Sequence, residues 1–379
     1  MRSITLFCGA ATRLFRHQPV LIIATFLAII TACIVPPDAA YLHYVDWRVI
    51  GLLFCLMVVV MAFRRLGFMD KLALRLIHTL HNTRRLTFGF ATLAFFTSMV
   101  LTNDVALISI VPLTMMLLSK TNRLDVAPRL VTLEAIAANL GSMATPLGNP
   151  QNLFLYTAFQ IPTLDFFATM IPLSAISLML LVAVSSRTHK EELPQTDIPQ
   201  NAPEVHPNHA RIITAVTLFI LAILAVFRIL PVVWLVFILV GAFLLTDPRT
   251  LIKIDFGLLA TFIAFFIFVG NLQRIDAVNT LLSGFTADHT LAAGFTLSQF
   301  ISNVPAAILL SGFTPNATEL LAGVNIGGLG TLVASLASLI AFQGFNKVCH
   351  DQKGRFIKTF TTYNVAFAAI LLVFRHFFG

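Results

Sequence analysis

The chain has 379 residues, 58% of them hydrophobic and 11% charged, with a mean hydropathy of +0.88 and a net charge of +8. This mix excludes an ordinary soluble domain, and the placement of the basic residues argues against nucleic acid as their partner. An all-α polytopic membrane protein, embedded in a lipid bilayer, is the class that remains.

Apolar runs lie near residues 19–35, 47–63, 86–118, 128–157, 166–184, 212–227, 231–245, 256–270, 292–313, 318–345 and 359–378. A crossing helix needs about 20 such residues, and the pattern predicts about 9 spanning helices plus 2 re-entrant hairpins. The first run follows Arg13 and Arg16, but many more follow, and Pro36-Pro37 makes a poor cleavage site. Residues 1–45 therefore read as an N-terminal span and loop rather than a signal peptide. Cys8, Cys33, Cys55 and Cys349 show no metal or redox spacing and read as small apolar filler.

Lys and Arg gather in clusters: Arg2, Arg13 and Arg16; Arg64 through Arg85; Lys120, Arg123 and Arg129; Arg187, Lys190 and Arg211; Arg249 and Lys253; and Lys347 through Lys358. The positive-inside rule puts each cluster, and the N-terminus, in the cytoplasm. Arg84-Arg85 precede run 86–118 and Lys120 follows it, so the chain must turn back between them. Two full crossings want about 40 residues plus a turn. A re-entrant hairpin over 86–119, with Thr102-Asn103-Asp104 at its tip, uses fewer; two short tilted spans with a buried turn are the alternative. A carboxylate such as Asp104 costs roughly 3 kcal/mol or more at bilayer depth, and chains that keep one there usually use it.

The pattern then repeats. Asp46-Trp47 opens a span that ends in an amphipathic stretch with Leu66, Met69, Leu72, Leu76 and Leu80 on one face; Asp255-Phe256 opens another, ending in Leu272, Ile275, Val278, Leu282 and Phe285. Each leads to a hairpin with a polar tip, Thr102-Asn103 or Ser302-Asn303, and then to a glycine-broken helix. GSMATPLGNPQNL (141–153) aligns without gaps to GGLGTLVASLASL (327–339), pairing Gly141 with Gly327, Thr145 with Thr331 and Asn152 with Ser338. By charge the first copy begins outside and the second inside. The division is repeat 1 at 46–184 (hairpin 86–119, broken helix 128–157), a cytoplasmic linker at 185–210, connecting spans at 211–254, and repeat 2 at 255–379 (hairpin 288–313, broken helix 318–345). Inverted repeats with matching discontinuous helices point to a transporter's binding site.

Pro146 and Pro150 each free a carbonyl four residues back, and Gly141 and Gly148 relax the backbone. Asn149-Pro150 reads as an N-cap followed by proline at the first helical position, and Ser335 can cap its half-helix likewise. Asn103 or Asp104, and Ser302 or Asn303, can open the returning hairpin arms. Four helix N-termini would then meet, each worth about half a positive charge. That makes an anion site without Lys or Arg. A lone Gly-Pro kink is more often a packing device, and a lone Asn or Ser often just bonds a neighbouring helix; the paired arrangement is what favours a site. Glu134, seven residues before Gly141, reads equally as a site group and as a buried structural one. His206 and His209 lie in the polar linker.

TNDVALISIVPLT, NLGSMATPLGNPQNL, SQFISNVPAAILL and VNIGGLGTLVASLASL resemble signature segments of the ion transporter superfamily. That group takes in citrate-transporter-like permeases, arsenite permeases, sodium–proton antiporters and sodium–dicarboxylate symporters. The resemblance covers nearly the whole chain and is strongest to small bacterial anion permeases. It implies the bacterial inner membrane, a homodimer, and elevator-type alternating access by a moving part built of hairpins and broken helices. In the dicarboxylate branch each tip carries Ser-Asn-Thr; here Asp104 and Val304 depart from it, and Asn103-Asp104 looks more like the arsenite and proton-coupled branches.

The expected function is secondary transport of a small inorganic or carboxylate anion, with no enzymatic role and no cofactor beyond H⁺ or Na⁺ as coupling ion. Substrate-binding candidates are Thr102, Asn103, Thr145, Asn149, Asn152, Ser302, Asn303, Thr331, Ser335 and Ser338. Coupling-ion candidates are Asp104, Glu134, Gly141, Gly148 and Gly327, with a Na⁺ site near Asn103 and Asp104. The alternative is a cation–proton antiporter in which Asp104 and Glu134 bind Na⁺ and H⁺ in turn. An intramembrane hydrolase lacks its motifs here: there is no HExxH, no paired GxGD aspartates and no Ser–His dyad at matching depth. A channel is a further alternative, which the inverted broken-helix repeats disfavour.

Overall fold

The computed structural model describes residues 19–77, 80–192 and 209–378. Apart from one isolated bridge between Asn82 and Glu192, the described residues hold helices and their connections. Helix α1 (Pro19–Ile34) precedes α2 (Trp47–Arg65), whose N-terminus is capped by the Asp46 carboxylate, accepting from the Arg48 and Val49 N–H groups. The short amphipathic α3 (Phe68–Ile77) follows. Helix α4 (Thr83–Leu101) is capped by Asn82 and runs through the single residue Thr102 into α5 (Asn103–Lys120). Then come α6 (Ala127–Ser142), α7 (Pro150–Ala158) and α8 (Thr163–Ser186).

The second half begins with α9 (His209–Val226) and α10 (Val232–Thr246). Helix α11 (Phe256–Gln273) is capped by Asp255 just as α2 is by Asp46. Helix α12 (Asp276–Ile301) leads through Ser302 into α13 (Asn303–Ser311). Helices α14 (Ala317–Ile326), α15 (Leu336–Asn346) and α16 (Lys353–Phe378) complete the chain.

The second amphipathic stretch and the outgoing arm of the second hairpin lie within α12 as two helical segments that meet at a kink, where His289 leaves helical geometry (φ −129°, ψ 28°). One feature differs from the sequence reading: the first hairpin's arms are longer than its apolar run. At 19 and 18 residues, each covers about 27 Å at 1.5 Å per residue, so a shortage of residues does not by itself set α5 apart from a crossing helix. Helix α5 is one of six long and apolar enough to span, with α2, α8, α9, α16 and the stretch Pro248–Gln273.

The core forms around α6 and α14. Along α6 every residue but Arg129 is buried, and in α14 Leu320 through Ile326 are buried. Helices α4, α5, α8, α15 and α16 pack on α6, while α12, α13 and α7 pack on α14. Outside this body α1 packs on α11, and α9 and α10 pack on α2.

Candidate substrate site at the paired helix breaks

Helix α6 stops at Ser142 and α7 starts at Pro150. Asn149 stands between them in extended backbone, and its Oδ1 accepts from the Asn152 N–H at 2.9 Å. Pro150 then supplies no N–H where none is needed. Asn152 holds the turn from the other side, its Nδ2 donating to the carbonyls of Met143 (3.1 Å) and Thr145 (3.0 Å). The Thr145 hydroxyl donates to the Met99 carbonyl on α4 at 2.5 Å. Gly141 is required by close approach: a Cβ there would stand 2.1 Å from the Phe95 carbonyl oxygen. At Gly148 it would stand 2.1 Å from the Ser142 oxygen.

The second break repeats these contacts at the aligned positions. Ser335 Oγ accepts from the Ser338 N–H at 3.1 Å and lies 2.8 Å from Ser338 Oγ. The Thr331 hydroxyl donates to the Gln299 carbonyl at 2.9 Å, as Thr145 does to Met99. A Cβ on Gly327 would meet Ser298 at 2.7 Å, and one on Gly141 would meet Ser98 at the same distance.

The hairpin tips match too, but not as caps. Thr102 (φ 72°, ψ 148°) and Ser302 (φ 74°, ψ 154°) adopt nearly one conformation, and neither side chain caps the helix it opens. Asn103 Oδ1 accepts only from the adjacent Asp104 N–H (3.0 Å), and Ser302 Oγ is turned to the Ala334 carbonyl at 3.4 Å. The expectation of capping at all four starts is therefore corrected: the positive φ at the tips directs the side chains away from the new helix. The tips dock instead through the backbone. Asn103 N donates to the Gly148 carbonyl at 3.2 Å and Asn303 N to the Ala334 carbonyl at 2.9 Å. Each tip thus sits on the residue just before the cap of its own broken helix.

Two residues outside the predicted set join the halves. Asn139, two residues before Gly141, accepts from Asn103 Nδ2 at 3.1 Å and donates to Ser335 Oγ at 2.9 Å. Asn325, two residues before Gly327, donates to Asn152 Oδ1 at 2.6 Å and accepts from Asn149 Nδ2 at 3.1 Å. Each first half-helix thereby reaches the capped start of the opposite one. Extending the gap-free alignment by two residues pairs these asparagines, which was the signal available.

The carboxyl candidates are not in this network. Glu134 lies within α6, fully buried, with Oε1 accepting from the Thr114 hydroxyl on α5 at 2.5 Å. Asp104 lies in the first turn of α5; its Oδ1 is enclosed and has no hydrogen-bond partner among the described residues. Gly141, Gly148 and Gly327 serve close packing. Near the expected Na⁺ position the Asn103 side chain is already engaged at both ends, which leaves the Asp104 carboxylate as the free ligand. No three His, Cys, Asp or Glu side chains among the described residues form a metal-binding group. Thr331 is exposed, Thr102, Asp104, Thr145 and Ser302 are half-buried, and Asn103, Asn149, Asn152, Asn303, Ser335 and Ser338 are buried.

The breaks are lined by amides, hydroxyls and helix starts, and no Lys or Arg donates to them among the described residues. The model of a family described as citrate transporter matches residues 10–337. The chain is 33% identical to an uncharacterized transporter of Methanocaldococcus jannaschii over 83% of this chain and 85% of that one. It is 32% identical to an inner membrane protein of Escherichia coli, YbiR, over 80% and 81%. A silicon efflux transporter of Oryza sativa is 31% identical over 37% of this chain and 28% of its own length. The chain is a membrane transporter and belongs to the citrate transporter family of the ion transporter superfamily.

Proposed function

We propose that the protein is a secondary active transporter that moves a small inorganic or carboxylate anion, coupled to H⁺ or Na⁺, by elevator-type alternating access as a homodimer in a bacterial inner membrane, with its N-terminus in the cytoplasm. The observation that carries this reading is the crossed pair of capped helix starts, Asn149 to Asn325 and Ser335 to Asn139. Helix N-termini favour anions through their dipoles and free N–H groups. An anion held there needs no basic side chain, and its exit is not opposed by a fixed positive charge. The tips and breaks are bonded to one another and so form a unit able to move together. Its ties to the surrounding helices are both polar and apolar: Gln273 Nε2 donates to the Gly312 carbonyl at 2.6 Å, Arg228 donates to the carbonyls of Tyr156 (3.0 Å) and Ile161 (3.3 Å), and Phe154 packs on Phe262 and Phe266 of α11.

Asp104 supports coupling. An ionised carboxylate next to a bound anion is repulsive by about 4 kcal/mol at 4 Å in a partly screened site, so the loaded state favours a cation or proton beside it. The test is flux into proteoliposomes across citrate, succinate, arsenite and silicate, with and without a sodium or pH gradient. Accumulation of one of these against its gradient is expected. Sodium–proton exchange indifferent to every anion would overturn the reading in favour of an antiporter using Asp104 and Glu134.

A further inference from the structure

We propose that Glu134 is a proton-binding site separate from the crossed helix starts, and that the ion bound there is H⁺ and not Na⁺. The inference rests on the transporter reading for its role but not for its chemistry. Glu134 has no exposed surface, one oxygen is held by Thr114, and Oε2 is enclosed with no hydrogen-bond partner among the described residues. A carboxylate left with one hydrogen bond in such surroundings costs several kcal/mol, and a proton removes that cost.

No neighbouring charge substitutes for the proton. Of the helices packed on α6, α4 carries Arg84 and Arg85 at its start, α5 carries Asp104 and Lys120 at its two ends, and α8 carries Asp165 at its start. Helix α14 carries Glu319, paired with Arg375 of α16; the other ionisable groups of α16 are Lys353, Arg355 and Lys358 near its start, Tyr363, and His376 at its end. Helix α15 carries none. Arg129, on α6 itself, donates to the Val184 carbonyl and covers the Tyr363 ring. Among the described residues none of them forms an ion pair with Glu134, whose side-chain hydrogen bond comes from Thr114.

Na⁺ does not fit. Hard cations in proteins gather about six oxygen ligands, whereas the side-chain partner of the Glu134 carboxyl among the described residues is the Thr114 hydroxyl, and the nearby Thr132 hydroxyl on α6 is engaged with the Pro128 carbonyl. The site also has a mechanical position. It bolts α5, which returns from the Asp104 tip, to α6, and it lies about 7.5 Å along that helix from Asn139 at 1.5 Å per residue. Gain or loss of the proton changes the bond between the hairpin arm and the broken helix without touching the anion's contacts.

Infrared difference spectra of the full chain in lipid vesicles, taken between mildly alkaline and mildly acidic buffer with no added anion, test the site. A protonated-carboxyl band should appear in the wild type, persist in Asp104→Asn and be lost in Glu134→Gln. A band that survives Glu134→Gln intact, or no titrating band in the wild type, overturns the site. Should Glu134→Gln fail to fold, Thr114→Val serves instead: removing the hydrogen bond should shift the band, and an unmoved band overturns the assignment. In vesicles loaded with a pH-sensitive dye and given citrate or arsenite, Glu134→Gln should lose proton movement at least about tenfold, and wild-type movement in that variant would overturn its coupling role. If none of citrate, succinate, arsenite or silicate moves protons in the wild type while the band behaves as expected, proton coupling of the anion fails and the proton site stands.

Discussion

Asn325 Nδ2 lies 2.6 Å from Asn152 Oδ1, joining residues from the two halves of the chain inside the core. The same Asn325 side chain accepts from Asn149, so one amide ties both the cap of α7 and the residue it caps. Asn325→Ala should strip a partner from each. Leaving a buried polar group unpaired costs about 2 kcal/mol, and thermal unfolding in detergent should register a loss of that order. Asn139→Ala should do the same at the other crossing. Wild-type stability in both variants would mean the crossings do not hold the breaks together.

The caps separate binding from folding. Asn149→Ala and Ser335→Ala each remove a cap worth about 1 kcal/mol, yet both sit where the anion is proposed to rest. Transport should therefore fall more than stability does, measured as apparent affinity in vesicles against melting in detergent. Asn303→Ala should be milder, because Asn303 docks by its backbone N–H, which alanine retains. Equal rates in Asn149→Ala, Ser335→Ala and the wild type would place the anion elsewhere.

The two kinked glycines should respond differently to repair. A Cβ on Gly141 meets the Phe95 backbone at 2.1 Å, which no side-chain change relieves; on Gly327 the nearest atoms are the Ser298 side chain at 2.7 Å, with the Gly323 carbonyl oxygen next at 2.9 Å. Gly141→Ala should destabilise by about 3 kcal/mol, with no rescue by Ser98→Gly. Gly327→Ala should be rescued in part by Ser298→Gly, the contact with the Gly323 carbonyl remaining. Melting of the four single and two double variants decides this.

Several of these features were legible in the sequence because proline and glycine announce a helix break and Asn-Pro announces its restart. Asp46 and Asp255 likewise stand as visible caps. The crossing asparagines were not legible in either copy alone: Asn139 and Asn325 stand two residues before Gly141 and Gly327, on the near side of each break, where nothing local marks them as partners of the opposite half, and only the comparison of the copies pairs them. The polar tips were located, but their capping role was misjudged, since sequence does not disclose the positive φ of Thr102 and Ser302 that turns the side chains away.

Orientation is testable at the first hairpin. Thr83 is buried and donates to the His189 carbonyl, so Arg85 and Lys120, both exposed, are the better probes. In a cysteine-free background Arg85→Cys and Lys120→Cys should both react with an impermeant thiol reagent only from the cytoplasmic side. Reaction of one of them from outside would mean that the chain crosses once between them, and the inverted arrangement would fail.

Asp104 is the sharpest test of coupling. Its carboxyl stands at the start of α5, next to the docked tip, with one oxygen unpartnered among the described residues. Asp104→Asn keeps the shape but can neither ionise nor give up a proton. If Asp104 carries the coupling charge, uphill accumulation of the anion should vanish in proteoliposomes. Exchange at equal concentrations should survive, because the anion rests on helix starts that the change leaves intact. A cation–proton antiporter predicts instead that the change abolishes every mode of cation flux, with anions irrelevant. If Asp104→Asn concentrates its substrate as well as the wild type does, Asp104 is a structural group, and the driving ion enters through Glu134 alone.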